Sequence, residues 1–335
     1  MTPLVVVDRV SKRFAQPSSL TSRLLSLLNA RPPRRVVHAV SDVSLAIEAG
    51  EAIGLVGESG CGKSTLGRIL AGVLVPTEGK VLFRGQPIVS GSGRPRKSTT
   101  GIQIIFQDPL ASLDPRMRVG DQIAEGPIAH KLITKPQARR FVAEWLDRVG
   151  LAADAADRFP HQFSGGQRQR IAIARALAMR PDVLVCDEPV ASLDVSVQAQ
   201  VVNLLLRLRR ELALTIIFIS HDLAVVRHLC DRVAVMYLGR IVEIGAAGDV
   251  FRRPWHPYTQ ALLDSIPRLV TERGASIAFR PIAGEVPSAM SPPEGCHFHP
   301  RCALAAPRCR ERAPELRFRG TRGVACHTPL HQVPA

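Results

Sequence analysis

Aromatic side chains are scarce: Phe, Trp and Tyr make up 4% of the 335 residues, and Trp and Tyr occur only twice each. A surface that binds RNA by stacking bases on aromatic rings is therefore not expected. No apolar run approaches the ~20 residues needed to span a bilayer. The start, Met1-Thr2-Pro3-Leu4-Val5, lacks the charged-then-apolar order of a secretory signal. Internal repeats are missing as well. The expectation is a soluble cytoplasmic chain, in whose reducing surroundings the seven cysteines form no structural disulfides. Acidic residues are outnumbered, 29 against 44 Lys and Arg, for a formal charge of +15. That charge suits nucleic acid or an anionic membrane face, but the basic residues are scattered, and a compositional Arg bias explains them equally well. An apolar share of 46% supports a sizeable core. The length fits one large domain with an appendage, or two domains.

Against this background one segment stands out. Gly57-Glu58-Ser59-Gly60-Cys61-Gly62-Lys63-Ser64 matches the phosphate-binding pattern GxxxxGK[ST] in full. The apolar run Ala52–Val56 before it reads as a buried parallel strand. Leu66, Ile69, Leu70, Val73 and Leu74 after it recur at the spacing of a core-facing helix. In that context the backbone of Gly57, Ser59, Gly60, Cys61, Gly62 and Thr65 can converge on phosphate oxygens at a helix N-terminus. Lys63 can reach the β and γ phosphates, and the Ser64 hydroxyl can ligate Mg²⁺. The expected ligand is a nucleoside triphosphate.

Leu4–Val10 and Val40–Ile47 read as strands ahead of the loop. Between them lies an insert, 17–37, in which Leu20, Leu24, Leu27 and Leu28 share a helical face. A surface loop with a short helix is favoured there over a lipid- or partner-binding helix. Gly91–Thr100 reads as a loop, and about 108–175 as mainly helical, with turns at Pro109, Pro127, Pro136 and Pro160. Strands return at Val183–Cys186, Ile216–Ile219 and Val233–Tyr237. The first two lack alternation and so fit burial on both faces. Leu238-Gly239-Arg240 reads as a hairpin turn. Beyond Phe251 the composition shifts to Pro, His, Arg and Cys, which puts a boundary near 250.

Val183–Cys186 runs into Asp187 and Glu188. At a strand end Asp187 can hold Mg²⁺, directly or through water, and Glu188 can polarise a water attacking the γ phosphate. Upstream, Ser164-Gly165-Gly166-Gln167 opens a helix and so forms a second anion-binding turn. One chain has no need of two cradles for one nucleotide. Two chains facing each other do, each completing the other's site.

Here the sequence resembles the ATP-binding cassette (ABC) ATPases, whose LSGGQ motif appears with Phe163 in place of Leu. The resemblance implies an α/β phosphate-loop NTPase fold with a RecA-like core, an antiparallel β part and a helical subdomain. It implies ATP and Mg²⁺ as cofactors. Gln107 matches the glutamine that senses Mg²⁺ and the membrane partner, so Ser64, Gln107 and Asp187 are the implied Mg²⁺ set. Asp194 marks the D-loop, where Ala191-Ser192 inverts the family's more frequent Ser-Ala. His221 matches the histidine that contacts the γ phosphate. Glu188 is the implied base, Phe14 the aromatic facing adenine, and Ser164 with Gly165, Gly166 and Gln167 the turn that serves the partner's ATP.

Phe106-Gln107-Asp108-Pro109-Leu110-Ala111-Ser112-Leu113-Asp114-Pro115, Asp194-Val195-Ser196-Val197-Gln198 and His256-Pro257-Tyr258-Thr259-Gln260-Ala261-Leu262-Leu263 look like the dipeptide/oligopeptide importer ATPases. That family implies a second ATPase subunit, often a paralogue, two membrane permease subunits and an extracytoplasmic peptide-binding protein. It also implies a peripheral place on the cytoplasmic face of the inner membrane, with no nucleic acid partner. Nickel or glutathione importers, an exporter, and a cassette ATPase acting on nucleic acid are the alternatives. Residues 1–250 would be the ATPase domain and 251–335 a Cys-rich extension. Its Gly295-Cys296-His297-Phe298-His299-Pro300-Arg301-Cys302 resembles an importer pattern that implies a [4Fe-4S] cluster on Cys296, Cys302, Cys309 and Cys326. Zinc, or no metal at all, is the alternative. With few apolar residues, this tail is expected to gain most from a metal staple.

Overall fold

A computed structural model describes residues 2–15, 36–90, 96–266 and 281–331. The leucine-rich part of the insert lies outside the described residues. The strands are β1 Val5–Ala15, β2 Val36–Ile47, β3 Ala52–Val56, β4 Glu78–Phe83, β5 Gln86–Pro87, β6 Val89–Ser90, β7 Arg96–Lys97, β8 Ile102–Ile105, β9 Val183–Asp187, β10 Thr215–Ile219, β11 Arg232–Tyr237, β12 Arg240–Ala246, β13 Arg317–Arg319 and β14 Arg322–Val324.

A central sheet runs in the order β13-β14-β12-β11-β3-β10-β9-β8. Its middle, from β11 to β8, is parallel. Every residue of β3, β9 and β10 is buried, as expected of apolar runs without alternation. Successive side chains of a strand point to opposite faces, so each strand feeds two cores. Ala52, Leu184, Cys186, Ile216 and Phe218 face the core shared with the long helices. Ile53, Leu55, Val183, Val185, Ile217 and Ile219 face the other. There they meet Leu66, Ile69 and Leu70 of the helix Lys63–Leu70 and the inward residues of an antiparallel sheet ordered β2-β1-β4-β5. The expected hairpin joins β11 to β12, with Leu238 and Gly239 both at positive φ (42° and 81°), the twist that suits a tight two-residue turn.

The helical region contains Pro109–Ser112, Val119–Ala129, Ala138–Arg148 and Gly165–Ala178. Pro109 opens its helix and Pro160 a short 3-10 turn, where a missing N–H costs nothing. Pro127 departs from the expected turn: it lies inside Val119–Ala129, close enough to the end that only the last turn loses a hydrogen bond.

Protein contacts fasten the tail. β14 pairs with β12, setting Val324 opposite Glu243. Phe298, 2% exposed, lies against the rings of Tyr237 and Tyr258 at 5.2 and 5.3 Å between centroids. Glu243, fully buried, accepts from Arg322 at 2.7 Å and from the backbone N–H groups of Trp255 and His256 at 2.8 and 2.9 Å. A buried ion pair, added strands and an aromatic anchor hold what the cysteines were expected to hold.

Candidate active site

The parallel strands β3, β9 and β10 end side by side, and the expected residues gather at those ends. The loop after β3 curls tightly into the helix Lys63–Leu70. Gly62, at φ 104°, caps that helix, and a Cβ there would stand 2.1 Å from the carbonyl oxygen of Ala39. Gly57 is as constrained, with a Cβ falling 2.2 Å from the Met236 carbonyl. Only glycine fits either place, which leaves the backbone N–H groups at the helix start free to face an anion. Lys63 is 4% exposed, and its Nζ donates to the carbonyls of Gly57 and Glu58 at 2.8 and 2.9 Å.

The Ser64 hydroxyl donates to Asp187 Oδ1 at 2.6 Å, joining the loop to the end of β9. Asp187 is 1% exposed. Burial pushes its carboxyl above the usual range; the Ser64 hydrogen bond and Arg68, 3.9 Å away, pull back against it. Such a carboxylate gains from a nearby cation. Next to it Glu188 adopts a left-handed backbone, φ 48°, while its N–H donates to the Ile219 carbonyl at the end of β10. A non-glycine residue held in that region is strained, and the sheet ends fix it. Its Oε2 is the meeting point of two other expected residues. Gln107 Nε2 donates to it at 3.1 Å, and His221 Nδ1 lies 3.4 Å away. The Glu188 side chain is 15% exposed and that of His221 60%. The cluster is thus anchored on its carboxylate and open towards solvent.

Ser164 caps the helix Gly165–Ala178: its Oγ accepts from the Gln167 N–H at 3.3 Å, and the Gln167 side chain returns to the Ser164 N–H at 3.0 Å. This reciprocal box satisfies two helix-start donors. Gly166 packs so closely that a Cβ would meet Val197 Cγ1 at 2.4 Å, which ties the turn to the helix Val195–Leu212 that Asp194 opens. Ser164, Asp194 and Val195 face outward, Val195 at 82% exposure. Among the described residues no hydrogen bond links this turn to the phosphate loop. Phe14 lies in β1, opposite Val37, 38% exposed with Lys12 Nζ 5.1 Å from its ring.

Two residues of the tail region, quoted from the sequence only as family likeness, touch the loop itself. The Tyr258 hydroxyl accepts from the Glu58 N–H at 2.9 Å, and the Arg301 guanidinium grips the Glu58 carboxylate at 2.7 and 3.1 Å. Nothing in local spacing marks these pairings. The only hint was an arginine inside the cysteine pattern.

The four tail cysteines are neighbours. Burial pushes the Cys296 and Cys302 thiols up, with Cys309 nearby adding to it, and Cys326 is pushed up to about 12 by burial and by the other three. The Sγ atoms of Cys309 and Cys326 accept backbone N–H groups. Among the described residues no group of three or more His, Cys, Asp or Glu is arranged to hold a metal ion. As placed, they do not form the expected [4Fe-4S] or zinc site. Cys61, Cys186 and Cys230 are buried, as expected of small core residues.

A family model described as ABC transporter matches residues 40–191, and one described as the C-terminal region of oligopeptide/dipeptide transporters matches 242–309. The oligopeptide transport ATP-binding protein AppF of Bacillus subtilis is 50% identical over 87% of this chain and 89% of its own length. The chain belongs to the ATP-binding subunits of ABC oligopeptide/dipeptide transporters. A second such subunit, the di/tripeptide transport ATP-binding protein DppF of Pseudomonas aeruginosa, is 47% identical over 87% of this chain and 90% of its own. Among solved structures, the ATP-binding cassette MJ0796, a dimer in a post-hydrolysis state bound to ADP and Pi, matches with a TM-score of 0.59. It is 26% identical over 72% of this chain and 98% of that one. The chain is thus an ABC ATPase, which binds and hydrolyses ATP. Among the described residues no helix is long and apolar enough to cross a membrane.

Proposed function

We propose that this chain is the ATP-hydrolysing subunit of an ABC importer for peptides, working at the cytoplasmic face of the inner membrane. The observation that carries its chemistry is the convergence of Gln107 and His221 on Glu188 Oε2 beside the Ser64–Asp187 pair. Glu188 takes a proton from the attacking water, and His221 and Gln107 orient the carboxylate and the γ phosphate. Lys63 leaves its two carbonyl partners to bind the β and γ phosphates. Ser64, Gln107 and Asp187 would hold Mg²⁺, which would supply charge neutralisation. Gly57, Ser59, Gly60, Cys61, Gly62 and Thr65 line the phosphates, and Phe14 faces the adenine.

The outward Ser164, Gly165, Gly166 and Gln167, with Asp194, act on the ATP of a second ATPase subunit. ATP draws the two together, and hydrolysis releases them, which drives two permease subunits fed by an extracytoplasmic peptide-binding protein. Relatives named for oligopeptides and for di- and tripeptides support a peptide as cargo at nearly equal identity. The proximity of Cys296, Cys302, Cys309 and Cys326 supports a secondary reading, in which a rearranged tail takes up an iron–sulfur cluster or zinc. Iron and zinc content after anaerobic purification tests it.

The test of the main reading is co-purification of the chain with its permeases, followed by ATP hydrolysis and flux in vesicles. The expected result is hydrolysis stimulated by a peptide-loaded binding protein, with peptide moving towards the ATPase side. Outward flux, or stimulation by DNA or RNA instead, overturns it.

A further inference from the structure

We propose that Arg301, in the C-terminal tail, is a positioning residue for the phosphate loop and acts through Glu58. This deepens the ATPase reading and rests on it. Glu58 is held at three points. Its N–H donates to the hydroxyl of the fully buried Tyr258, its carbonyl accepts from Lys63 Nζ, and its carboxylate takes both arms of Arg301. The Arg301 side chain is only 3% exposed, and its Nε is spent on the Ala283 carbonyl. It is fixed from below by the short turn His299–Arg301, where its N–H bonds the carbonyl of the buried Phe298.

The charge logic is as specific as the geometry. A loop that binds a polyphosphate carries a carboxylate of its own, which repels the ligand unless a cation neutralises it. Lys63, whose Nζ already bonds the Glu58 carbonyl, could do so only at the expense of the phosphates. Arg301 supplies the counter-charge from the tail instead, as a planar fork that fixes orientation as well as charge, and Lys63 stays free for ATP. Residues 58 and 301 are 243 positions apart in the chain, so the tail takes part in nucleotide binding and is more than an appendage.

The test is a double-mutant cycle on the full-length chain, read as Mg-ATP affinity, with KM and kcat measured in the assembled transporter. Arg301→Met is expected to weaken Mg-ATP binding about tenfold or more and to raise KM by a similar factor, with kcat within about threefold of wild type. In a Glu58→Gln background the same change is expected to cost less than about threefold, because its target carboxylate is gone. Wild-type affinity for Arg301→Met overturns the proposal. So does a further loss of about tenfold or more on adding Arg301→Met to Glu58→Gln, and this arm stands even if the single variant fails to fold. Lys63→Ala serves as the control for the underlying reading. If it abolishes binding while Arg301→Met does not weaken it, only the Arg301 proposal falls; if the wild-type chain binds no Mg-ATP, both fall.

Discussion

Two turns of this molecule open helices with glycine and serine, yet they are built in opposite ways. The phosphate loop spends none of its helix-start donors on a side-chain cap, buries its lysine, and is walled by Ala39, Met236 and Tyr258. The turn at Ser164 spends two donors on its own capping box and faces outward. The first is a cradle walled by residues of its own chain. The second is a surface, which needs something opposite it to become a site. Under the proposed function, binding belongs to the single chain and turnover to a pair.

The sharpest break of this contrast is Glu188→Gln. Loss of the base is expected to lower turnover by roughly 10²–10⁴-fold, while the phosphate loop still binds Mg-ATP; steady-state hydrolysis and nucleotide titration read the two halves separately. Gly62→Ala comes next. With φ at 104° and the Ala39 carbonyl 2.1 Å from the new methyl, the cost is of order 1–3 kcal/mol, seen as a lowered melting temperature together with lost nucleotide binding. Gly165→Ala is its counterpart: the methyl meets Leu193 at an ordinary 3.4 Å, so stability is expected to stay within about 1 kcal/mol of wild type while turnover by the assembled pair falls. Equal damage to stability at both glycines would erase the distinction.

Ser164→Ala removes a helix cap at about 1 kcal/mol. It is expected to leave ATP binding by the isolated chain unaltered but to slow the assembled ATPase. The smallest effect on stability is expected from Asp187→Asn. Burial raises the Asp187 carboxyl above its ordinary 3.8, so its ionised form detracts from the stability of the nucleotide-free fold. That penalty is absent below pH 3.8 and grows as pH rises through the shifted value. The variant should therefore melt higher than wild type at neutral pH, with the gain shrinking as pH falls towards 4, even though Mg²⁺-dependent hydrolysis is lost. A gain that does not change with pH would show that the carboxylate carries no such cost.

Much of this was legible in the residues. Strands β3, β9 and β10 announced themselves as unbroken apolar runs because parallel strands are buried on both faces, and Lys63, Ser64, Asp187, Glu188 and His221 stand at the ends of such runs. The turn was readable from Gly239, which takes a positive φ without strain; Leu238, at φ 42°, is not a residue such a turn favours. Other features were not. Pro127 reads as a turn from its local preference, whereas packing keeps it in the helix. The four tail cysteines read as a metal set because spacing reports which thiols are present, not how they face one another. Phe298, one aromatic among few, carries the anchoring that a metal was expected to supply.

What the sequence determined by itself was the set of chemical parts and their order: phosphate loop, glutamine, serine-glycine turn, acidic strand end and histidine. Each is a contiguous pattern whose backbone geometry demands particular residues, so each can be read locally. Tertiary structure alone decided that Gln107 and His221 meet on one oxygen of Glu188, that β13 and β14 extend the main sheet, and that Arg301 closes on Glu58. Those pairings join residues far apart in the chain. No local period encodes them, and they exist only once two cores have packed against the two faces of one sheet.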